Sequence, residues 1–240
     1  TFWKWNPKTK GSGILECIPQ TGLCPNACEE CYFQSGRSYL EPLSENLPHI
    51  PSPEMAWGRI VRMNDGNDSN NQRDLVIETA SKYADVFYCT AIPDLSFPGP
   101  VVLTVNPGKM TDKDLHVVSP CPPNLMFVRV RTNTWNSSLV EHAIEHYITQ
   151  NIPVVLTFMA YFNPDGIPQS SRINYVWRKR TANSYWAITT LAWREIMREW
   201  EDRAFVYSCG RIEGERGTTV CMRCGNCLRE YYAAKERLRE

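Results

Sequence analysis

The chain has 240 residues, of which 42% are hydrophobic and 22% charged, and this is enough to bury a full core in one large or two small domains. Its 26 basic and 26 acidic residues cancel, so no overall field recruits nucleic acid. No apolar run is long enough to span a bilayer and no basic-then-apolar leader occurs, which predicts a cytoplasmic protein without a membrane partner.

Ten cysteines are many for a cytoplasmic protein, and seven of them fall in two tight groups. Closely spaced thiols converge readily on one ion or cluster, so the grouping favours metal binding over disulfides. Cysteine also packs well as a small hydrophobic residue, and we expect the three isolated ones in the core. These are Cys17, Cys89 and Cys121.

Short apolar runs recur along the chain and predict strands, several of them apolar enough to be buried on both faces. They cover residues 14–18, 59–63, 86–90, 101–105, 126–131, 153–159 and 205–208. A Pro-rich connector that includes Pro42 and Pro53 separates the first two. It is too broken for a long regular element.

Helical periodicity follows several of these strands. One helix is expected behind the polar stretch 64–71, with Asp68 or Ser69 as its N-cap, and a second over residues 138–148. Residues 163–184 are polar and predict a loop. A long helix is expected after it, with a core-facing stripe of Trp186, Thr190, Trp193, Met197 and Trp200.

Strands that alternate with helices predict an α/β fold in which right-handed crossovers build a parallel sheet that curls toward a barrel. The expected architecture is an incomplete TIM-like (β/α)6 barrel over residues 1–208. A small cysteine-rich extension with a terminal helix follows at 209–240.

The first cysteine group comes directly after the first predicted strand. Cys24, Cys28 and Cys31 place three thiols within eight residues, and the aromatic Tyr32 follows them. A loop at the carboxyl end of a parallel strand is a usual place for functional residues. Three thiolates can hold zinc or an iron-sulfur cluster, and three rather than four leave one metal position open for a ligand.

This spacing resembles the signature of the radical S-adenosylmethionine (radical SAM) enzymes. The resemblance implies that Cys24, Cys28 and Cys31 are the catalytic centre and hold a 4Fe-4S cluster whose fourth iron binds the amino and carboxylate groups of SAM. One electron, from a donor such as flavodoxin or ferredoxin, then cleaves SAM to a 5′-deoxyadenosyl radical that abstracts hydrogen from a substrate. The substrate stays open between a small molecule, a peptide and a nucleotide within RNA.

The resemblance also suggests where SAM binds. Tyr32 is similar to the family's aromatic near adenine, and Asn64-Asp65-Gly66-Asn67 stands where family members often have Gly-Gly-Glu near the SAM amino group. Asp65 would accept a hydrogen bond from the ammonium, and Arg131 would pair with the carboxylate. The expected SAM contacts are Tyr32, Asn64, Asp65, Asn67, Thr104, Asn106, Arg131, Asn133 and Met159.

The second cysteine group supplies four thiols, enough to close a tetrahedral site. Cys209, Cys221, Cys224 and Cys227 are expected to hold a second, auxiliary 4Fe-4S cluster or zinc, because thiolate-only sites accept both. The group is loosely similar to the auxiliary cluster sites of some radical SAM enzymes.

Two other classes of function remain open from the sequence. The chain is alternatively a zinc-ribbon-type module that binds nucleic acid or protein without catalysis, with Arg178-Lys179-Arg180 as its contact patch. It is also compatible with an electron-transfer protein with two clusters, although that function leaves a barrel-sized scaffold unexplained.

Overall fold

The computed structural model describes residues 3–28, 31, 46–106, 118–179, 184–210 and 221–239. Its strands are β1 (Ile14–Cys17), β2 (Ile60–Met63), β3 (Val86–Thr90), β4 (Val101–Val105), β5 (Leu125–Thr132), β6 (Val154–Phe158), β7 (Ala160–Tyr161), β8 (Tyr175–Arg178), β9 (Tyr185–Ile188) and β10 (Val206–Ser208). Its α-helices are α1 (Pro53–Ala56), α2 (Arg73–Ala80), α3 (Ser137–Ile148), α4 (Thr190–Glu199), α5 (Cys221–Cys224) and α6 (Asn226–Arg237). None of these helices combines the length and apolar character needed to cross a membrane.

Seven strands form one parallel sheet in the order β1-β2-β3-β4-β5-β6-β10. All seven predicted strands are present, and their ends differ from the prediction by one residue at most. The prediction of an α/β fold with a parallel sheet is therefore confirmed. The sheet is compatible with a partial barrel, with β1 and β10 at the two ends of the strand order.

The two faces of the sheet are covered by different helices. One face, here the α2–α3 face, packs residues such as Leu103 and Val128 against Val76 of α2 and Ile144 of α3. All four side chains are fully buried, and burial of one such side chain contributes about 1.5–3 kcal/mol. This apolar layer packs α2 and α3 against the sheet.

The opposite face, here the α6 face, packs Phe87 and Phe127 against Tyr231 of the C-terminal helix. The Tyr231 hydroxyl donates to Asp85 Oδ1 at 2.9 Å, and Arg237 Nη2 donates to the Leu125 carbonyl at 2.9 Å. Asp85 and Leu125 lie at the amino ends of β3 and β5. Helix α6 therefore covers the amino end of this face, and the loops that follow the strands lie at the carboxyl end.

A second, antiparallel sheet of order β7-β9-β8 occupies part of the stretch predicted as a loop at 163–184. That prediction was wrong, because the stretch contains β8 and 3-10 turns at Pro164–Gly166 and Gln169–Asn174. Trp186, predicted in a helix, lies in β9 opposite Trp177, with the ring centroids 5.6 Å apart. The cross-strand aromatic pair favours the strand over the helix.

Helix α4 begins only at Thr190, where the Thr189 hydroxyl accepts from the Ala192 amide. The predicted core role of Trp193 and Trp200 is confirmed, since both are buried.

The expected N-cap of the first long helix was also wrong. Helix α2 starts at Arg73, and its N-cap is Gln72, which adopts a left-handed backbone with φ of 48° and makes no side-chain capping bond. Asp68 is unavailable for capping because its carboxylate accepts from Thr90 Oγ1 and from the Ala91 amide. The same carboxylate also accepts from the Asn70 amide at 2.9 Å, but this local bond lies before the first turn of α2.

Candidate functional site

The first cysteine group lies in the loop after β1. A tight turn begins this loop, where the Ala27 amide donates to the Cys24 carbonyl at 3.4 Å, and the Cys31 amide donates to the Cys28 carbonyl at 3.2 Å. All three cysteine side chains are half-buried and free of disulfides. Because β1 is parallel to its neighbours, the loop shares the carboxyl edge of the sheet with the loops after β2 and β3.

The three thiols are within electrostatic range of one another. Burial raises the pKa of the Cys24 thiol, and Asp68, Cys28 and Cys31 raise it further. Burial also raises the pKa of Cys28, with Cys31 adding to the effect and Arg131 opposing it. A cation beside these thiols favours the thiolate forms that metals require.

Asp68 ties the cysteine loop to the neighbouring strands. It is buried, and its carboxylate accepts from Asn26 Nδ2 at 2.9 Å, Thr90 Oγ1 at 2.8 Å and the Ala91 amide at 2.7 Å. Asn26 lies between Cys24 and Cys28, whereas Thr90 ends β3. One carboxylate thus fixes the cysteine loop and the end of β3 relative to each other.

Asn71 reaches the cysteine group directly. Its Nδ2 donates to Cys24 Sγ at 3.3 Å and to Asn67 Oδ1 at 3.0 Å. Gln20 Nε2 donates to the Asn71 carbonyl at 2.8 Å and to the Asp68 carbonyl at 3.1 Å. Residues 64–71 were predicted to start a helix, but here they hold the cysteine loop in place through these hydrogen bonds.

Three predicted SAM contacts lie in this loop after β2. Asn64 has a left-handed backbone with φ of 62°, and its Nδ2 donates to Ser69 Oγ. Among the residues that the structure describes, none pairs with its buried Oδ1. Asp65 pairs with Arg62 at 2.6 Å. Asn67 Oδ1 is engaged within the turn, where it accepts from the Asp68 amide at 2.8 Å.

The other predicted contacts are spread over further strand ends. Arg131 Nε is 2.8 Å from Met159 Sδ, so these two are neighbours, and Arg131 also faces Cys28. Thr104 lies opposite Arg129 in the register of β4 and β5, and Asn106 follows β4.

Asn133 and Tyr32 complete the predicted set. Asn133 donates to the Tyr161 hydroxyl, accepts from the Trp135 amide and lines a cleft of about 180 Å³ between α3 and α4. Tyr32 lies outside the described residues.

The second cysteine group joins the end of β10 to α5 and α6. The Gly210 amide donates to Cys224 Sγ at 3.2 Å, and Asn226 Nδ2 donates to the Ser208 carbonyl at 3.0 Å. Gly225, with φ of 66°, turns the chain between the two helices in the left-handed region that glycine adopts at little cost. Cys209 and Cys227 pack with Cys89 on the α6 face.

Buried arginines accompany this second group. Burial raises the pKa of Cys221 to about 11 and that of Cys227 to about 12, and Arg62 opposes both increases. Burial also raises the pKa of Cys209, against the charge of Arg129. Two cations on one face of the sheet therefore lie beside the thiols of the second group.

Arg62 also belongs to a buried ion-pair group. It contacts Glu16 at 3.1 Å and Asp65 at 2.6 Å, and Glu16 is fully buried. Burial opposes the charge of Arg62, but the carboxylates of Asp65 and Glu16 hold its pKa above the ordinary value. This group connects the loop after β2 with the second cysteine group. Within the described ranges, no three histidine, cysteine, aspartate or glutamate side chains form an arrangement that would hold a metal ion.

Sequence reasoning missed several residues of this site, namely Glu16, Arg62, Asp68, Asn71, Cys89 and Arg129. The signal for Glu16, Arg62 and Arg129 was present, because each is a charged residue inside an apolar strand, where charge is rarely buried without a partner. No local signal distinguishes Asp68 or Asn71 from other turn residues, since their partners are distant in the chain. Cys89 was expected in the core, and it is buried, but it packs beside Cys209 and Cys227.

Comparisons of this chain with models of known protein families, with curated proteins and with solved structures found no match.

Proposed function

We propose that this chain is a radical SAM enzyme, in which Cys24, Cys28 and Cys31 hold a 4Fe-4S cluster that binds and reductively cleaves SAM. The observation that supports the proposal most is the position of a three-thiol loop at the carboxyl edge of a parallel sheet, beside the loops that end β2 and β3. The three thiols do not converge on one metal ion within the described residues. Thiolates are nevertheless the ligands of such clusters, and three of them match a donor set that leaves one iron open. When bound, the cluster and SAM would supply the 5′-deoxyadenosyl radical that abstracts hydrogen from a substrate.

In this proposal β1 to β6 form the wall of an incomplete TIM-like (β/α)6 barrel, and residues 209–240 extend it. The chain's own residues orient the reactants. Arg131 contacts Met159 and is within electrostatic range of Cys28, and its guanidinium would pair with a carboxylate of SAM. Asp65 pairs with Arg62, and in this proposal it would also accept from the ammonium of SAM.

Water is excluded from one end of the α6 face. Tyr231 and Ala234 of α6 are fully buried against it, so the amino end of the sheet is closed by apolar packing. A dry cavity protects a radical from side reactions, and in this proposal the packing of α6 would close such a cavity at the amino end.

For the second cysteine group we propose an auxiliary 4Fe-4S cluster, with zinc as the alternative metal. Four thiols match either metal. Arg62 and Arg129 offset the negative charge that four thiolates bring into a buried setting. Either metal would fix the start of α6.

The central test is the formation of 5′-deoxyadenosine from SAM. Protein reconstituted anaerobically with iron and sulfide should be brown and should form 5′-deoxyadenosine with dithionite, or with a flavodoxin or ferredoxin as electron donor. Cys28→Ala should abolish the product. Cys121→Ala is the matched control, because Cys121 belongs to neither group and contacts the Val118 carbonyl. A colourless, zinc-loaded wild-type protein would contradict the proposal.

A second candidate function is a zinc-containing module that binds nucleic acid or protein. The observation that favours it is the exposed end of β8, where Arg178 and Lys179 follow the half-exposed Trp177. Metal analysis of protein purified anaerobically separates the two functions. The enzyme should hold about eight irons per chain if both groups carry clusters, or about four irons and one zinc if the second group holds zinc, whereas the binding module should hold one or two zincs and no iron.

A further inference from the structure

We propose that Asn71 is a positioning residue that tunes the reduction potential of the first cluster through its N–H···S hydrogen bond to Cys24. The inference rests on the proposed function, because it requires an iron-sulfur cluster on Cys24, Cys28 and Cys31. The contact that carries it is the distance of 3.3 Å between Asn71 Nδ2 and Cys24 Sγ. Asn71 does not coordinate iron in this proposal and acts only through the sulfur.

The orientation of the Asn71 amide follows from its neighbours. Its second N–H donates to Asn67 Oδ1 at 3.0 Å, and the same oxygen accepts from the Asp68 amide at 2.8 Å. A flipped amide would bring the carbonyl oxygen of Asn71 against the Asn67 oxygen, which is an acceptor too. The network therefore aims a donor, not an acceptor, at the sulfur.

The backbone that carries Asn71 is held in place independently of its side chain. The backbone amide of Asn71 donates to the Asp68 carbonyl at 3.0 Å, and the backbone carbonyl of Asn71 accepts from Gln20 Nε2 at 2.8 Å. Asp68 binds Asn26 of the cysteine loop on the other side. Asn71 Nδ2 and Cys24 Sγ are thus held by one connected hydrogen-bond network. Their contact does not depend on the rotamer of an isolated surface side chain.

The sign of the effect follows from electrostatics. A donor at the sulfur stabilises the more negative, reduced state of a cluster more than the oxidised state, so it raises the reduction potential. Removal of the donor should lower the potential, which makes the cluster harder to reduce. The ratio of reduced to oxidised cluster at a fixed solution potential should fall several-fold, and a tenfold fall corresponds to ~59 mV for one electron.

The test is a redox titration of the reconstituted full-length chain without SAM, followed by electron paramagnetic resonance. The signal of the first cluster is identified by its absence from Cys28→Ala. Asn71→Leu should lower its midpoint potential, and Asn71→Asp should lower it further because a carboxylate has no N–H and adds negative charge. Asn70→Leu is the matched control, since Asn70 lies in the same turn but donates to Thr90 Oγ1 and the Asp94 carbonyl.

The outcomes separate this inference from the function on which it rests. Unchanged potentials in Asn71→Leu and Asn71→Asp, at full iron content, would overturn the role of Asn71 and leave the enzyme intact. A shift of the same size in Asn70→Leu would also overturn it, because the effect would then belong to the turn as a whole. If Asn71→Leu assembles no cluster, the same titration is made with Asn71→Asp and Asn71→Ser. Unchanged midpoint potentials in these two variants would then overturn the role of Asn71. A wild-type chain that binds no iron would overturn the proposed function together with this inference.

Discussion

At the scale of single residues, the most demanding feature is charge buried on the α6 face. Glu16 is fully buried and shares Arg62 with Asp65, so one guanidinium serves two carboxylates. Such a group is costly to desolvate and adds little net stability compared with an apolar core. The group lies within electrostatic range of the second cysteine group, and titratable groups with shifted pKa values often cluster at functional sites.

The shared guanidinium leads to a pH-dependent prediction. Burial raises the pKa of Glu16 above its ordinary value of 4.5, and Arg62 only partly opposes the shift. The protonated Glu16 side chain is favoured in the folded state, and the stability that it contributes is fully present below pH 4.5. This contribution is lost as the pH rises through the folded-state pKa of Glu16. The wild-type chain should therefore lose stability relative to Glu16→Gln as the pH rises above 4.5, as measured by urea unfolding at a series of pH values.

The control for this experiment is Glu141→Gln, on the exposed face of α3. Its free energy of unfolding should follow the wild-type pH dependence. If the free energy of unfolding depends on pH in the same way for the wild type and for Glu16→Gln, burial does not shift the pKa of Glu16.

At the scale of elements, helix α6 is the main cover of the α6 face. Tyr231 combines apolar contact with Phe87, whose ring centroid is 6.3 Å away, and a hydrogen bond to Asp85. Tyr231→Ala should lower the free energy of unfolding by about 3–5 kcal/mol, because it opens a cavity and removes the hydrogen bond to Asp85. Tyr232 is the adjacent control, since it is 57% exposed.

Denaturant unfolding followed by circular dichroism measures both tyrosine variants. Tyr232→Ala should stay within about 1 kcal/mol of the wild type. Equal losses for the two variants would mean that α6 does not pack as described.

The elements also show how far the sequence predicts this structure. The strands of the parallel sheet were predictable because burial on both faces leaves a continuous apolar run, which no neighbouring element alters. The start of α2 was not, since the Asp68 carboxylate binds Asn26 and Thr90, which are distant in sequence, and the helix begins only at Arg73. Trp186 was misplaced for a similar reason: its strand is set by the cross-strand contact with Trp177.

The candidate site was also predictable only in part. The thiol groups were visible as spacing, whereas the amide of Asn71 reaches Cys24 across 47 positions of sequence. A contact at that separation depends on the assembled sheet, and short-range patterns do not contain it.

At the scale of the whole molecule, the contacts of the C-terminal residues bear on how the chain unfolds. The sequence predicted a boundary between 208 and 209, but contacts cross it in several places. The Cys221 amide donates to the Lys8 carbonyl, Asn226 binds Ser208, and Tyr231 binds Asp85. Because the α6 face depends on residues after the boundary, we expect the two parts to unfold together.

A truncated chain tests this expectation. A chain that ends at Ser208 lacks Tyr231 and Ala234, so Phe87 and Phe127 lose their apolar cover. Exposed apolar surface of this kind promotes association, and the truncated chain should lose its cooperative thermal transition and elute as aggregates in size-exclusion chromatography. A chain that ends at Arg237 keeps all of α6 and should behave as the full-length protein does. A cooperative transition near the full-length midpoint in the chain that ends at Ser208 would instead support two independently folding parts, with α6 contributing packing that the sheet does not require.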